Sequence, residues 1–367
     1  MRVAIDAREL CGRPTGVGRY LAGLLTAWAK SDDARRHQWM LLTHAPLTPE
    51  PGWNAARKVV SGAGGTAWEQ FALPGALRSE RPDVFFAPGY TAPLTVAAPL
   101  VVTIHDVSFF AHPEWFSFRE GLRRRLLTAW SARRARTVIT DTDFSRTEIE
   151  RFIGVKSTRV IPLGMNERSN DRSTDHSVDR LGDRPPVVLY VGSIFERRRV
   201  DRLIAAFDDV AHRVPGARLE IVGENRTRHP RLDLEALRLR SAHADRINIR
   251  SYVDDATLAG LYRDASVFAF LSEYEGFGLT PLEALVEGVP PVVLDTAVAR
   301  ETCGGAARYV GADAGNQQIA DVIVDLLTNQ ASRADVLRHA DAVLSRYDWA
   351  RTAAQTLSVL EEAALGR

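Results

Sequence analysis

Short apolar runs alternate with amphipathic stretches along most of this 367-residue chain. Arg2–Asp6, Trp39–Thr43, Asp83–Ala87, Leu100–Ile104 and Thr137–Thr140 are apolar or β-branched and are bounded by polar or proline-containing segments. Such runs read as strands buried in a sheet. Apolar positions at helical spacing lie between several of them, notably over Arg19–Lys30 and Phe118–Arg136. Strands that alternate with helices predict a parallel sheet covered on both faces. From Asn166 to Pro186 the chain has hardly an apolar residue, and then the pattern restarts. Strands are expected at Val187–Val191, Leu219–Val222, Asn248–Arg250, Val267–Leu271 and Pro291–Leu294, and helices at Asp201–Arg213 and Ala256–Arg263. An amphipathic helix, Ala350–Leu365, closes the chain. The expected fold class is α/β, with two Rossmann-like, doubly wound domains facing across a cleft that is the default ligand site. The first covers residues 1–164 and the second 187–345. A polar linker spans 165–186, and a C-terminal helix within 346–367 packs back towards the first domain.

Composition narrows the function classes. The apolar fraction of 45% and charged fraction of 25% are those of an ordinary globular protein. A net charge of +1 gives no signal for nucleic acid, so no nucleic-acid partner is expected. Cys11 and Cys303 have no metal-ligand spacing and read as unpaired thiols of a reducing compartment. Met1–Asp6 reads as a strand and not as a leader, and no run approaches 18 apolar residues. The expected location is cytoplasmic. Lys30, Lys58 and Lys156 are the only lysines, so arginine carries nearly all the positive charge.

The chemistry concentrates at Glu275-Gly-Phe-Gly-Leu-Thr-Pro-Leu-Glu283, where a strand hands over to a helix. Open α/β sheets bind ligands there, outside the carboxyl ends of their strands. Gly276 and Gly278 allow close approach of the backbone, and the amides of Phe277, Gly278 and Leu279 would face an anion at the helix N-terminus. Carboxylates accept hydrogen bonds, so Glu275 and Glu283 suit hydroxyl-rich groups. Phosphate and sugar together indicate a nucleotide sugar. A plainer reading of Glu283 is also open: Thr280-Pro-Leu-Glu283 fits a capping box with Thr280 as the N-cap. The second domain opens with Gly192-Ser193 and then Arg197, Arg198 and Arg199 on the turn into a helix. Guanidinium forks match phosphate oxygens, although a solvated basic turn explains them too.

With these elements in order, the chain resembles the retaining family 4, group 1 glycosyltransferases of GT-B architecture, with a mannosyltransferase-like cast. The resemblance runs through Thr15-Gly-Val-Gly-Arg-Tyr20, Thr103-Ile-His-Asp-Val107, Val160-Ile-Pro-Leu-Gly164, the arginine turn, the paired glutamates and the Trp349 helix. It implies that Arg197 and Arg198 hold the donor diphosphate, Arg198 standing where the family has lysine. It further implies that Glu275 holds the transferred sugar, Glu283 the ribose and Ser193 the donor. Gly16 would approach the diphosphate, Tyr252 and Val253 would meet the nucleobase, and His105 would face the donor sugar. The expected reaction moves a hexose, mannose favoured, from a nucleotide diphosphate sugar to a hydroxyl of a glycan or lipid-linked sugar, with no metal or other cofactor. GDP-mannose is the favoured donor, with UDP- or dTDP-hexoses and a small-molecule acceptor as the alternative.

Further readings remain. Asp141-Thr-Asp143 ends a strand as Asp-x-Asp, a pattern that holds a divalent ion in single-domain glycosyltransferases. His112–Phe118 and the arginine-rich helix after it form either a core helix with solvated arginines or a peripheral contact with an anionic membrane at its inner surface. Trp68 and Tyr90, in Trp68-Glu-Gln70 and Gly89-Tyr-Thr91, are acceptor-side candidates. A nucleotide-sugar epimerase of the same fold is the rival enzyme. A nicotinamide dehydrogenase is disfavoured, because Gly16-Val-Gly-Arg-Tyr-Leu21 lacks the third glycine of that fingerprint.

Overall fold

A computed structural model describes residues 1–12, 16–47, 52–165, 185–228 and 231–366. The chain divides into two compact units, Met1–Asn166 with Tyr347–Arg367, and Glu167–Arg346. Residues 166–184 of the polar run lie outside the described residues.

The first unit holds seven strands: β1 (Arg2–Asp6), β2 (Gln38–Thr43), β3 (Ala56–Val59), β4 (Val84–Ala87), β5 (Leu100–Thr103), β6 (Thr137–Thr140) and β7 (Thr158–Val160). They form one sheet in the order β3-β2-β1-β4-β5-β6-β7. Every pairing is parallel, with Val3 opposite both Trp39 and Val84. All four residues of β4 and of β5 are buried, as helices on both faces require. The edge strands β3 and β7 contain no buried residue, and the hydrophobic pattern gives no sign of them.

The second unit repeats the plan with β8 (Val187–Val191), β9 (Arg218–Val222), β10 (Ile247–Arg250), β11 (Val267–Phe270), β12 (Pro291–Leu294) and β13 (Arg308–Val310). Its order is β10-β9-β8-β11-β12-β13, again parallel throughout. In each sheet the strand order reverses direction once, between β1 and β4 and between β8 and β11. The loops that leave neighbouring strands diverge at such a switch point and open a crevice.

The helix Trp349–Ala364 belongs to the first unit. Its first indole lies on two glycines: a Cβ at Gly23 would stand 2.4 Å from the Trp349 ring and one at Gly164 2.3 Å from it. Trp28 Nε1 donates to the Ala353 carbonyl at 2.9 Å, and Thr352 Oγ1 donates to Pro162 O at 2.7 Å. No helix among the described residues is long and apolar enough to cross a membrane.

Two expected elements differ. The first helix starts at Gly16, not Arg19, so Gly16 occupies its first turn; Thr15 lies outside the described residues. The capping box at Thr280 does not form. The helix Leu279–Val286 begins one residue earlier, with Gly278 as its N-cap at φ 85°. A glycine at that left-handed position turns the chain into the helix, which moves Thr280 into the first turn, where its hydroxyl cannot cap. Thr280 Oγ1 is buried and without a hydrogen-bond partner.

Candidate functional site

At the switch point of the second unit, the loops after β8 and β11 meet. Gly192 ends β8 at φ 141°, and a Cβ there would lie 2.6 Å from Arg198 Nη1. Glycine therefore admits the guanidinium over the strand end. Arg198 Nη1 donates to Ser193 O at 2.9 Å, and Arg198 Nε donates to Glu275 Oε1 at 2.8 Å. Ser272 Oγ donates to the same carboxylate oxygen at 2.8 Å. Arg197 Nε donates to the Tyr274 carbonyl at 3.1 Å and lies 4.0 Å from Glu275 Oε1. Both guanidinium groups stack on aromatic rings, Arg197 over Phe195 at 4.5 Å and Arg198 over Phe270 at 5.0 Å. The third arginine, Arg199, turns away to pair with Glu273.

The electrostatics follow from this packing. Burial alone would raise the Glu275 carboxyl, but Arg198 and Arg197 outweigh it and hold it below the usual carboxylate range. Burial likewise opposes the charge of Arg198, and Glu275 raises its pKa above the ordinary arginine value. Glu275 is thus a fixed anion, able to accept hydrogen bonds and unsuited to donating a proton near neutral pH.

The helix that follows presents the amides of its first turn, beginning at Leu279, beside this ion pair. Phe277 and Gly278 line a small cleft with Glu275, Ser272, Phe270 and Pro281. Glu283 is one turn further on and accepts from Tyr262 Oη at 3.1 Å. Tyr252 is 64% exposed on the loop between β10 and the helix Asp255–Asp264, with Val253 half-buried beside it. The second unit therefore brings Ser193, Arg197, Arg198, Glu275, Phe277, Gly278, Leu279 and Glu283 to the ends of two adjacent strands. Ser272 joins them; the sequence pattern shows it only as the first polar residue after an apolar run.

The first unit has its own polar cluster at the carboxyl ends of β1, β4, β5 and β6. His105 follows β5, with Nδ1 2.7 Å from Asp141 Oδ2 and Nε2 3.0 Å from Pro88 O. Both ring nitrogens face acceptors, which both are satisfied only by the imidazolium. Burial opposes that charge, but Asp141 raises the His105 pKa above the ordinary histidine value. Tyr90 and Tyr20 stand edge-on to the ring, with centroids at 5.7 and 5.0 Å. Tyr90 has a left-handed backbone, φ 66°, and its hydroxyl donates to Asp106 Oδ2 at 2.7 Å. Gly89 lies against Val17 at the start of the first helix, which brings Gly16 to the same end of the sheet.

One expectation is corrected here. Trp68 is 2% exposed, and its Nε1 donates to Val60 O at 2.7 Å. It is a core residue, and its indole is not open to an acceptor. Its neighbour Glu69 instead ties the site together: it is buried, pairs with Arg8, and accepts from Thr91 Oγ1 at 2.6 Å. Arg8 also pairs with buried Asp6 at 2.8 Å. The Asp-x-Asp carboxylates point apart, Asp141 to His105 and Asp143 to Arg146 at 2.7 Å. Thr142 between them caps the helix Asp143–Ile153.

Comparison with known proteins agrees with this layout. The family described as Glycosyltransferase Family 4 matches residues 14–168, and that described as Glycosyl transferases group 1 matches residues 171–342. Mannosylfructose-phosphate synthase of Agrobacterium fabrum is 36% identical over 119 residues, 31% of this chain and only 26% of that protein. O-antigen chain mannosyltransferase B of Escherichia coli is 25% identical over 305 residues, 77% of this chain and 75% of that one. Among solved structures, Anabaena HepE in complex with UDP and glucose superposes with a TM-score of 0.74 at 20% identity, covering 99% of this chain and 100% of that chain.

Proposed function

This chain belongs to the group 1, family 4 glycosyltransferases and has the two Rossmann-like units of the GT-B fold; from that premise we propose that it moves a hexose, mannose favoured, from a nucleotide diphosphate sugar to a sugar hydroxyl, with retention of anomeric configuration and without a metal. The observation that carries the reading is the Arg198–Glu275–Ser272 cluster at the β8/β11 switch point, followed directly by a helix N-terminus. Cation and amides suit a diphosphate, and a fixed carboxylate beside them suits sugar hydroxyls.

In the reaction, the bond from the anomeric carbon to the diphosphate oxygen breaks as a bond to the acceptor oxygen forms on the same face. The acceptor's proton passes to a phosphate oxygen of the leaving group. Arg197, Arg198 and the amides of Phe277–Leu279 stabilise the growing negative charge on the diphosphate. Glu275 accepts hydrogen bonds from the sugar through its second oxygen, since Oε1 already serves Arg198 and Ser272. Glu283 takes the ribose, and Tyr252 and Val253 take the base. His105, oriented by Asp141, faces the sugar, and Gly16 serves the diphosphate through its amide. The acceptor is a glycan or a lipid-linked sugar.

Similarity to an O-antigen chain mannosyltransferase supports mannose as the transferred sugar. The HepE complex with UDP and glucose, and the partial match to mannosylfructose-phosphate synthase, favour a second reading: a UDP-hexose donor and a small acceptor. A thermal-shift panel of GDP, UDP, dTDP and their sugars separates the two, because only a recognised ligand stabilises the fold. GDP and GDP-mannose are expected to raise the melting temperature most. Product NMR in the presence of EDTA is expected to show the donor's anomeric configuration. Stabilisation by no nucleotide, or an inverted product, would overturn the proposal.

A further inference from the structure

The helix Phe118–Arg134 turns only part of its apolar residues to the core, where Ala129, Trp130 and Ala132 pack. Its buried positions are small, Gly121, Thr128, Ser131 and Ala132. Phe118, Leu122 and Leu126 are instead 78%, 39% and 62% exposed. Spaced four residues apart, they form one stripe along the helix, each about 40° round from the last. The same outer face carries Arg119, Arg123, Arg133 and Arg134, all exposed. None of the four forms an ion pair among the described residues; Arg123 bonds Thr66 and Arg133 bonds the Ile153 carbonyl. The one acidic residue of the helix, Glu120, lies off this face and pairs with Arg124 at 2.9 Å.

Segments hydrogen-bonded to this helix carry two more exposed apolar side chains. Thr66, held by Arg123, stands just before Phe71, which is 84% exposed. Gln70 accepts from the Leu94 amide at 2.9 Å, and Leu94 is 47% exposed. Ala92, two residues before it, donates to Ser131 Oγ of the helix at 2.9 Å. Large apolar side chains left in water at this density mark an interaction surface.

We propose that this face of the first unit docks on an anionic lipid bilayer, with Phe118, Leu122 and Leu126 entering the headgroup boundary and the four arginines meeting lipid phosphates. The charge decides between occupants. Six arginines against one glutamate on the helix would oppose a second copy of the same face, while a negatively charged membrane complements them. The inference stands on this surface alone and is independent of the donor chemistry at Glu275.

The test is sedimentation of the full chain with vesicles of phosphatidylglycerol and phosphatidylcholine, and with phosphatidylcholine alone, at low and high salt. Binding is expected to the anionic vesicles and to fall as salt rises. Phe118→Ser with Leu126→Ser, and separately Arg119→Gln with Arg123→Gln, are each expected to weaken it at least about tenfold. These side chains are exposed, so melting temperature and nucleotide-induced stabilisation should match the parent protein. No binding at low salt, equal binding to neutral vesicles, or binding indifferent to both pairs of substitutions would overturn the proposal. So would a concentration-dependent dimer, seen by light scattering and abolished by the serine pair, in protein that binds no vesicles.

Discussion

Glu275 and Arg198 are one unit of chemistry, although the sequence places them 77 positions apart. Glu275→Gln keeps the shape and removes the charge, and the transfer rate is expected to fall by at least about a hundredfold. Arg198→Lys is expected to keep part of that activity, because an ammonium retains charge and loses the fork. Arg198→Ala leaves a buried carboxylate poorly compensated, and urea unfolding is expected to show a loss of about 3–5 kcal/mol. A fully active Glu275→Gln enzyme would refute the assigned role. Asp6 gives a second prediction. Burial pushes its carboxyl up to about 6 from 3.8, against the pull of Arg8. The native protein thus binds this proton more tightly than the unfolded chain, so the contribution to stability is full below about pH 3.8 and is lost as pH rises through about 6. Asp6→Asn should abolish that decline, a difference on the order of 2–3 kcal/mol between unfolding curves at pH 4 and pH 7.

Among the elements, the helix Leu279–Val286 is the one whose start changes the chemistry. With Gly278 as N-cap, Thr280 leaves a buried hydroxyl without a partner in the first turn. An unsatisfied buried hydroxyl costs about 1–3 kcal/mol. Thr280→Val is therefore expected to stabilise the ligand-free protein by about 1 kcal/mol and, if the hydroxyl serves the diphosphate, to weaken nucleotide binding in the same assay. A capping threonine would give the opposite sign, since losing an N-cap destabilises by about 1 kcal/mol. The Phe118–Arg134 helix shows the same limit of local reading. Its arginines and apolar residues are plain in the sequence, but Gly121, Thr128, Ser131 and Ala132 pack inward because close approach to the sheet favours small side chains.

For the whole molecule, the two sheets repeat one solution: strand order reverses once, and the residues with chemistry gather at the carboxyl ends of the strands. A net charge of +1 hides a strongly basic helix, so a global count misses the surface that vesicle binding tests. The buried strands were legible because central strands of a parallel sheet are apolar on both faces. The edge strands β3 and β7 were not, because water reaches their side chains and leaves no hydrophobic signature.

The sequence by itself determined the α/β class, the repeat of the βα pattern and the residues proposed for the donor side. Strand runs, glycine turns and the paired glutamates are local signals, written within a few residues of each other. Only the tertiary structure decided which groups touch: Arg198 with Glu275 and Ser272, His105 with Asp141, Glu69 with Arg8 and Thr91. It also sent Trp68 to the core and Phe118 to the surface. Partnership between residues dozens of positions apart depends on which strands become neighbours, and burial depends on how much room the opposing surface leaves. Neither quantity is a property of any short stretch of chain.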